Sequence, residues 1–387
     1  MTVLPKRLGI ILFVLLSGLS SQLYALEILH YIEAGDYSDV IEEATGLAIS
    51  DDGVVYVSSE EKGSLLKIVD GKITATSLSP SVFKDSDLGG VGLLADGKLV
   101  IVNEGSGQVG LVDAQFQLIT LFSQSGSDPG ELNSPRPVAV SVNRKIYVGD
   151  VKNKQVSVFN TQGLFLYSIG KQGSSGDDML QPSHVSIDAE ENVYVLEGPD
   201  RFSIYDRHGA LLKRIKSREL KTLFGETPEL SALTSDLDGR LYLGDRVNNR
   251  ISIYDWRKNE ILDVFGALGQ SRSQFRDITY LAVNARGQVA VLDRKNKKVE
   301  VYQLEQTRFA DPLTSDLIEL ASSLEVACES MHAFSAAKTL CIKPDHKGIV
   351  ILGEDGAELG EFASDSCRRR IDSHTRQESI ACIQSRW

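Results

Sequence analysis

Four sets of residues in this 387-residue sequence have the types and spacing that chemistry requires. Histidine comes first, as a proton carrier and metal ligand near neutral pH. There are six, and His184 stands apart because it opens a strand-like phrase, His184–Glu197. The second set is a carboxylate series, Glu104, Asp150, Glu197, Asp245 and Asp293, at intervals of 46, 47, 48 and 48 residues. Carboxylates around a ring would suit a cation. Asp in a turn equally accepts backbone N–H bonds, and repetition of one structural unit favours that capping role.

Cations form the third set. Lys152 and Lys154 follow Asp150, Arg246 and Arg250 follow Asp245, and Arg294, Lys295, Lys297 and Lys298 follow Asp293. Arg136, Arg272 and Arg276 come just before the corresponding phrases. The whole chain is acidic, with 41 basic against 53 acidic residues and a net charge of −12. A local basic set on that background would draw an acidic protein or an anionic envelope component; solvated turn charge is the plainer alternative. The fourth set is Cys328, Cys341, Cys367 and Cys382, an even number confined to the C-terminal stretch. That pattern suits disulfides, with three connectivities open. The tight C-x2-C pairs of zinc sites are absent. So are G-x-S-x-G, H-E-x-x-H, Walker A and a strand–helix G-x-G-x-x-G. No metal and no cofactor is expected.

The elements that position these residues repeat. An apolar alternating strand, a polar turn, a second strand and a closing acidic or small residue recur at Gly46–Ser59, Val91–Glu104, Ala139–Asp150, His184–Glu197, Ala232–Asp245 and Tyr280–Asp293. Their ends lie 45, 46, 47, 48 and 48 residues apart. Each phrase continues into a third strand, such as Gln155–Asn160 or Arg250–Asp255, and a fourth, such as Gly163–Gly170 or Glu260–Gly266. Period-2 alternation rich in β-branched and aromatic residues marks each as a strand. Four strands at this period define a propeller blade, whose two faces are buried only by its neighbours.

The run Asp150–Asn160, with Gly126–Pro137 before it and Gly163–Gly173 after it, resembles the NHL repeat family of bacterial exported propellers. Asp245–Asp255 resembles it too, and the sixth phrase less fully. The resemblance covers roughly residues 26–305 and implies an all-β, six-bladed β-propeller. Some such propellers resemble a peptidylglycine amidating lyase, whose channel zinc is held by histidines from several blades. Here the phrases open on Gly46, Val91, Ala139, His184, Ala232 and Tyr280, and a single histidine among them fails that ligand set. His184 then reads as a hydrogen-bonded residue at the channel mouth.

Both ends of the chain carry separate expectations. Lys6 and Arg7 precede the apolar run Leu8–Leu19, and Leu23-Tyr24-Ala25 supplies a small residue at a cleavage point. Residues 1–25 read as a secretory signal peptide, too short in its apolar core to span a membrane. Cleavage would take the net charge to −14 and place the protein in the periplasm or outside the cell. Glu27–Glu33 reads as a strand that closes the last blade. Residues 306–387 read as an appendix with a helix over Pro312–Met331 and a blade-like hairpin over Thr339–Gly353, a degenerate seventh blade being the alternative. Helix is otherwise expected only in the signal segment.

Together these readings point to a non-catalytic, exported scaffold. It would bind a protein or anionic ligand through a loop face carrying Arg136, Lys152, Arg246, Arg276 and Lys295, with His184 at the channel. A channel-site lyase or lactonase-like hydrolase is the alternative. Nucleic acid is not expected as a partner of an exported chain with a pI near 5.1.

Overall fold

A computed structural model describes residues 27–304, apart from short gaps at 61–62, 78–82, 84–86, 171–177 and 226, together with strands between 330 and 382. The described residues fall into two compact units, divided between Leu304 and Glu305.

The first unit is a six-bladed β-propeller, six antiparallel four-stranded sheets among the described residues. Blade 1 begins with Ala44–Ile49, blade 2 with Leu88–Leu93, blade 3 with Pro135–Val140, blade 4 with His184–Ile187, blade 5 with Leu230–Ser235 and blade 6 with Ile278–Val283. These inner strands touch in cyclic order, and the sixth touches the first, so the ring is closed. Glu27–Glu33 pairs antiparallel with Lys298–Gln303 and supplies the fourth strand of blade 6. The free edge of the last blade is thereby covered.

The strands form where alternation and β-branching coincide, as in Ile146–Asp150 and Val193–Leu196, whose side chains are all buried. Apolar clusters lie between successive sheets. Val156, Val158, Val185 and Val195 fill the joint of blades 3 and 4, while Leu196, Ile204, Leu233 and Leu243 fill that of blades 4 and 5. Each such side chain contributes about 1.5–3 kcal/mol on burial. The packing that holds the ring together therefore lies between blades.

Helix appears where the sequence reading did not place it. Ser217–Phe224 joins blades 4 and 5, with Leu220 buried among Leu230 and Ile261. The Glu219 carboxylate accepts the Lys216 N–H at 3.3 Å, and Gly225 ends the helix at φ 73°. A shorter helix, Ser38–Glu42, follows the closing strand. Both are connectors, too short for periodicity to betray them.

The second unit contains a four-stranded antiparallel sheet, Ser330–Ser335, Lys338–Ile342, Gly348–Gly353 and Glu358–Ala363, and a hairpin of Cys367–Ile371 with Glu378–Cys382. The helix expected over Pro312–Met331 falls outside the described residues as far as 329, and its last two residues begin a strand instead. A strand partner a few residues on, at Lys338–Ile342, overrides helical spacing in so short a run. Cys328 and the segment 1–25 also lie outside the described residues. Among the described residues no helix is long and apolar enough to cross a membrane.

Candidate functional site

Two surfaces gather polar groups: the loop face that carries the turns between second and third strands, and the channel that opens onto it. The turns are rigid for a local reason. In blade 3 the buried Asp150 carboxylate accepts the Asn133 N–H at 2.9 Å and the Asn153 side-chain N–H at 2.7 Å. Asp245 does the same with Glu229 at 3.2 Å and Asn248 at 2.7 Å. Asp293 takes the Arg276 and Asp277 N–H groups at 2.9 and 3.0 Å and Asn296 at 2.6 Å. Each carboxylate thus caps its turn and also pins the incoming loop of its own blade. Lys154, Asn249 and Lys297 close these turns at φ 51–55°, a left-handed conformation held by the surrounding bonds.

Glu104 does not share this role. The strand register places Asn103 at the Asp150 position, and Asn103 accepts the Ser106 N–H at 2.8 Å. Glu104 is shifted one residue along and crosses to blade 3, where the Arg136 guanidinium donates to it at 2.9 and 2.7 Å. In Glu197 the carboxylate is wholly buried and accepts the Leu180 N–H at 2.6 Å beside Arg201 and Arg214.

Arg136, Lys152, Arg246, Arg276 and Lys295 are all exposed. Topology puts them on one face, because Lys152, Arg246 and Lys295 sit in second-to-third-strand turns, Arg276 precedes the inner strand of blade 6 and Arg136 is the second residue of the inner strand of blade 3. Their charge is partly met. Arg246 pairs with Glu229 through Nε at 2.7 Å, and Arg136 has Glu104 as well as Glu60 at 3.9 Å. Among the described residues Lys152 and Lys295 make no ion pair. Lys152 borders a polar hollow of about 380 Å³ with Glu60, Asp87, Glu104 and Arg136. The acids come from incoming loops and a neighbouring blade, so adjacency in sequence did not reveal them.

The channel is a cavity of about 620 Å³ lined by all six inner strands. Arg136, His184 and Tyr280 line it at the loop-face end. β-Bulges at the start of the inner strands of blades 3 and 6 shift the register at Arg136 and just before Tyr280, whereas His184 lies in a strand that pairs without a bulge. They also explain a misalignment. His184 and Tyr280 oppose Leu196 and Leu292, each one residue before its blade's carboxylate. In blade 3 that tier falls in the bulge at Arg136 and Pro137, not at Ala139.

His184 Nε2 lies 3.1 Å from the Thr279 carbonyl oxygen, so Nε2 carries the proton, and its ring stands against Tyr280 with centroids 5.3 Å apart. Burial lowers its pKa to about 4 despite that bond, leaving a neutral imidazole at pH 7. Burial raises the Tyr280 hydroxyl pKa; Arg294 and Arg136 oppose the rise, and Glu60 and Glu104 add to it. Tyr280 is the residue that sequence reasoning undervalued; its position at the head of a phrase was the available signal. Among the described residues no three His, Cys, Asp or Glu side chains converge as metal ligands do.

With this geometry in hand, comparison with known proteins supports a β-propeller family. The family DUF5128, described as a 6-bladed beta-propeller, matches residues 127–220. Protein brain tumor of Drosophila melanogaster is 24% identical over 148 residues, 38% of this chain and 14% of that protein. The chain therefore spans about a seventh of that relative's length. Among solved structures, a streptogramin B lyase is 13% identical with a TM-score of 0.49, covering 73% of this chain and 98% of its own. Virginiamycin B lyase of Staphylococcus aureus is 14% identical with a TM-score of 0.46, covering 86% of this chain and 97% of its own. At that distance neither likeness speaks to chemistry here.

Proposed function

We propose that this chain is an exported NHL-like propeller, periplasmic or secreted, that serves as a non-catalytic scaffold and captures an acidic protein partner through its loop face. The observation that carries the reading is the set of capped turns at Asp150, Asp245 and Asp293, each bonded to its own incoming loop. They hold Arg136, Lys152, Arg246, Arg276 and Lys295 on one rigid face, while the blade interiors are committed to packing. Fixed surface charge speeds encounter with a partner of opposite sign and makes capture salt-sensitive. Export rests on the pattern of residues 1–25.

Cross-linked capture from intact envelope tests the scaffold, comparing the parent chain with the double variant Arg246→Glu, Lys295→Glu. The variant is expected to lose most of the captured partner at low salt and to keep its thermal midpoint within a few degrees, since exposed charges contribute little to folding. Equal capture by both proteins would remove the loop face from consideration.

One observation favours a second reading, a lyase or hydrolase working in the channel. His184 is neutral and its ring stands against that of Tyr280 at a cavity of about 620 Å³, which places an imidazole and a phenol at one mouth, two groups able to carry protons.

A further inference from the structure

We infer that the loop-face end of the channel, framed by Arg136, His184 and Tyr280, binds a small organic anion whose charged group meets Arg136 and Tyr280 and whose apolar body enters the channel. Arg136 belongs to both surfaces, but neither Arg246 nor Lys295 lines the channel, so the inference can be tested apart from the scaffold reading.

Donors left over at the mouth supply the first argument. Arg136 gives Nε and Nη2 to the Glu104 carboxylate, both to the same oxygen. Its Nη1 has no partner among the described residues, and neither does the Tyr280 hydroxyl, although both residues line the cavity. Behind them Arg294 donates Nη2 to the Ala44 carbonyl at 2.9 Å, while its buried Nε–H meets no acceptor. A guanidinium edge beside a phenol O–H is the donor pair that a carboxylate or sulfonate accepts.

His184 selects for more than charge. With Nε2 donating to Thr279 O, only Nδ1 can accept. The Ser183 hydroxyl near Nδ1, at 3.4 Å, is closer to the Leu196 carbonyl, at 3.1 Å. The Nδ1 lone pair is therefore open to an N–H or O–H on the ligand.

The walls supply the second argument. Below the mouth the cavity is lined by the partly exposed Leu93, Val140 and Val283, from three blades, with hydroxyls such as Ser186 nearby. A bare inorganic ion would leave those walls unmatched. A volume of about 620 Å³ lies within the ~300–1,000 Å³ of ordinary small-molecule sites.

The test uses the full chain and two probes of similar shape. 8-Anilinonaphthalene-1-sulfonate is the anion, and N-phenyl-1-naphthylamine lacks the sulfonate. Calorimetric and fluorescence titration should give one saturable sulfonate site per chain, with the neutral probe about tenfold weaker or more. Tyr280→Phe and Arg136→Gln should each weaken the sulfonate by about three- to tenfold and leave the neutral probe unchanged. The double variant Arg246→Glu, Lys295→Glu should bind the sulfonate as the parent does, which separates this site from the protein-capturing face. Unsaturable binding overturns the inference. So does sulfonate affinity that neither mouth variant changes, or a loss shared equally by both probes.

Discussion

His184 shows how one partly buried side chain ties stability to pH. Unfolded, its imidazole takes a proton near pH 6.5; folded, it does so only near 4. Between those values the unfolded chain binds more protons, so stability falls as pH drops through the window and is fully present above it. The shift sets an upper bound of about 3 kcal/mol for the loss. Asp96 and Glu191, held below the usual carboxylate range by Lys98 and Arg144 and by Lys145 and Ser141 against their own burial, lose their contribution at lower pH. Asp150 has the opposite sign, because burial raises its pKa against its backbone bonds. Those groups act equally in a His184→Gln variant. Denaturant unfolding at pH 7 and pH 4.5 should therefore show a smaller acid loss for His184→Gln than for the parent, by about 2 kcal/mol. Parallel losses would mean that the imidazole is solvated in the folded state.

At the scale of elements, register decides what spacing left open. Four cysteines allow three pairings. The C-terminal hairpin sets Cys367 directly opposite Cys382, whereas Cys341 faces Met331 on one side and Val350 on the other. Directly opposed residues of an antiparallel pair have Cα atoms about 4.5–5.5 Å apart, inside the range a disulfide spans. Under the proposed export, in an oxidising compartment, we expect a Cys367–Cys382 bridge, which leaves Cys328 to pair with Cys341. Peptide mapping under non-reducing conditions reads this directly. A peptide joining Cys367 to Cys341 or Cys328 would contradict it.

At the scale of the whole molecule, the ring closes through one strand. Glu27–Glu33 covers the Lys298–Gln303 edge, brings Ile32 into the joint of blades 6 and 1, and lays the Tyr31 ring over Lys298 Nζ at 5.3 Å. That ammonium is fully buried, paired with Glu300 at 2.7 Å and donating to the Ser271 and Gln274 carbonyls. Removing the strand would uncover a charge pair, forfeit about 2 kcal/mol for Ile32 alone and expose a row of unpaired backbone groups. A chain lacking residues 27–33 should melt well below the parent and form concentration-dependent oligomers on size-exclusion chromatography. A monomer of unchanged midpoint would show that blade 6 is stable with three strands.

The sequence by itself determined the repeat, and with it the blades, their number, the closing strand and the capping role of Asp150, Asp245 and Asp293. Those features are local: alternation, turn chemistry and an even period are written in consecutive residues. The contacts that shape the loop face and the channel mouth were decided only by the tertiary structure. Glu104 reaches Arg136 across a blade boundary, Glu229 meets Arg246 from an incoming loop, and His184 lies against Tyr280 from a blade that is not its neighbour in the ring. A bulge of one or two residues moved Arg136, rather than Ala139, to the tier of those two side chains. Such contacts join residues 17 to about 100 positions apart and depend on ring closure and register shifts, which leave no periodic trace in the sequence.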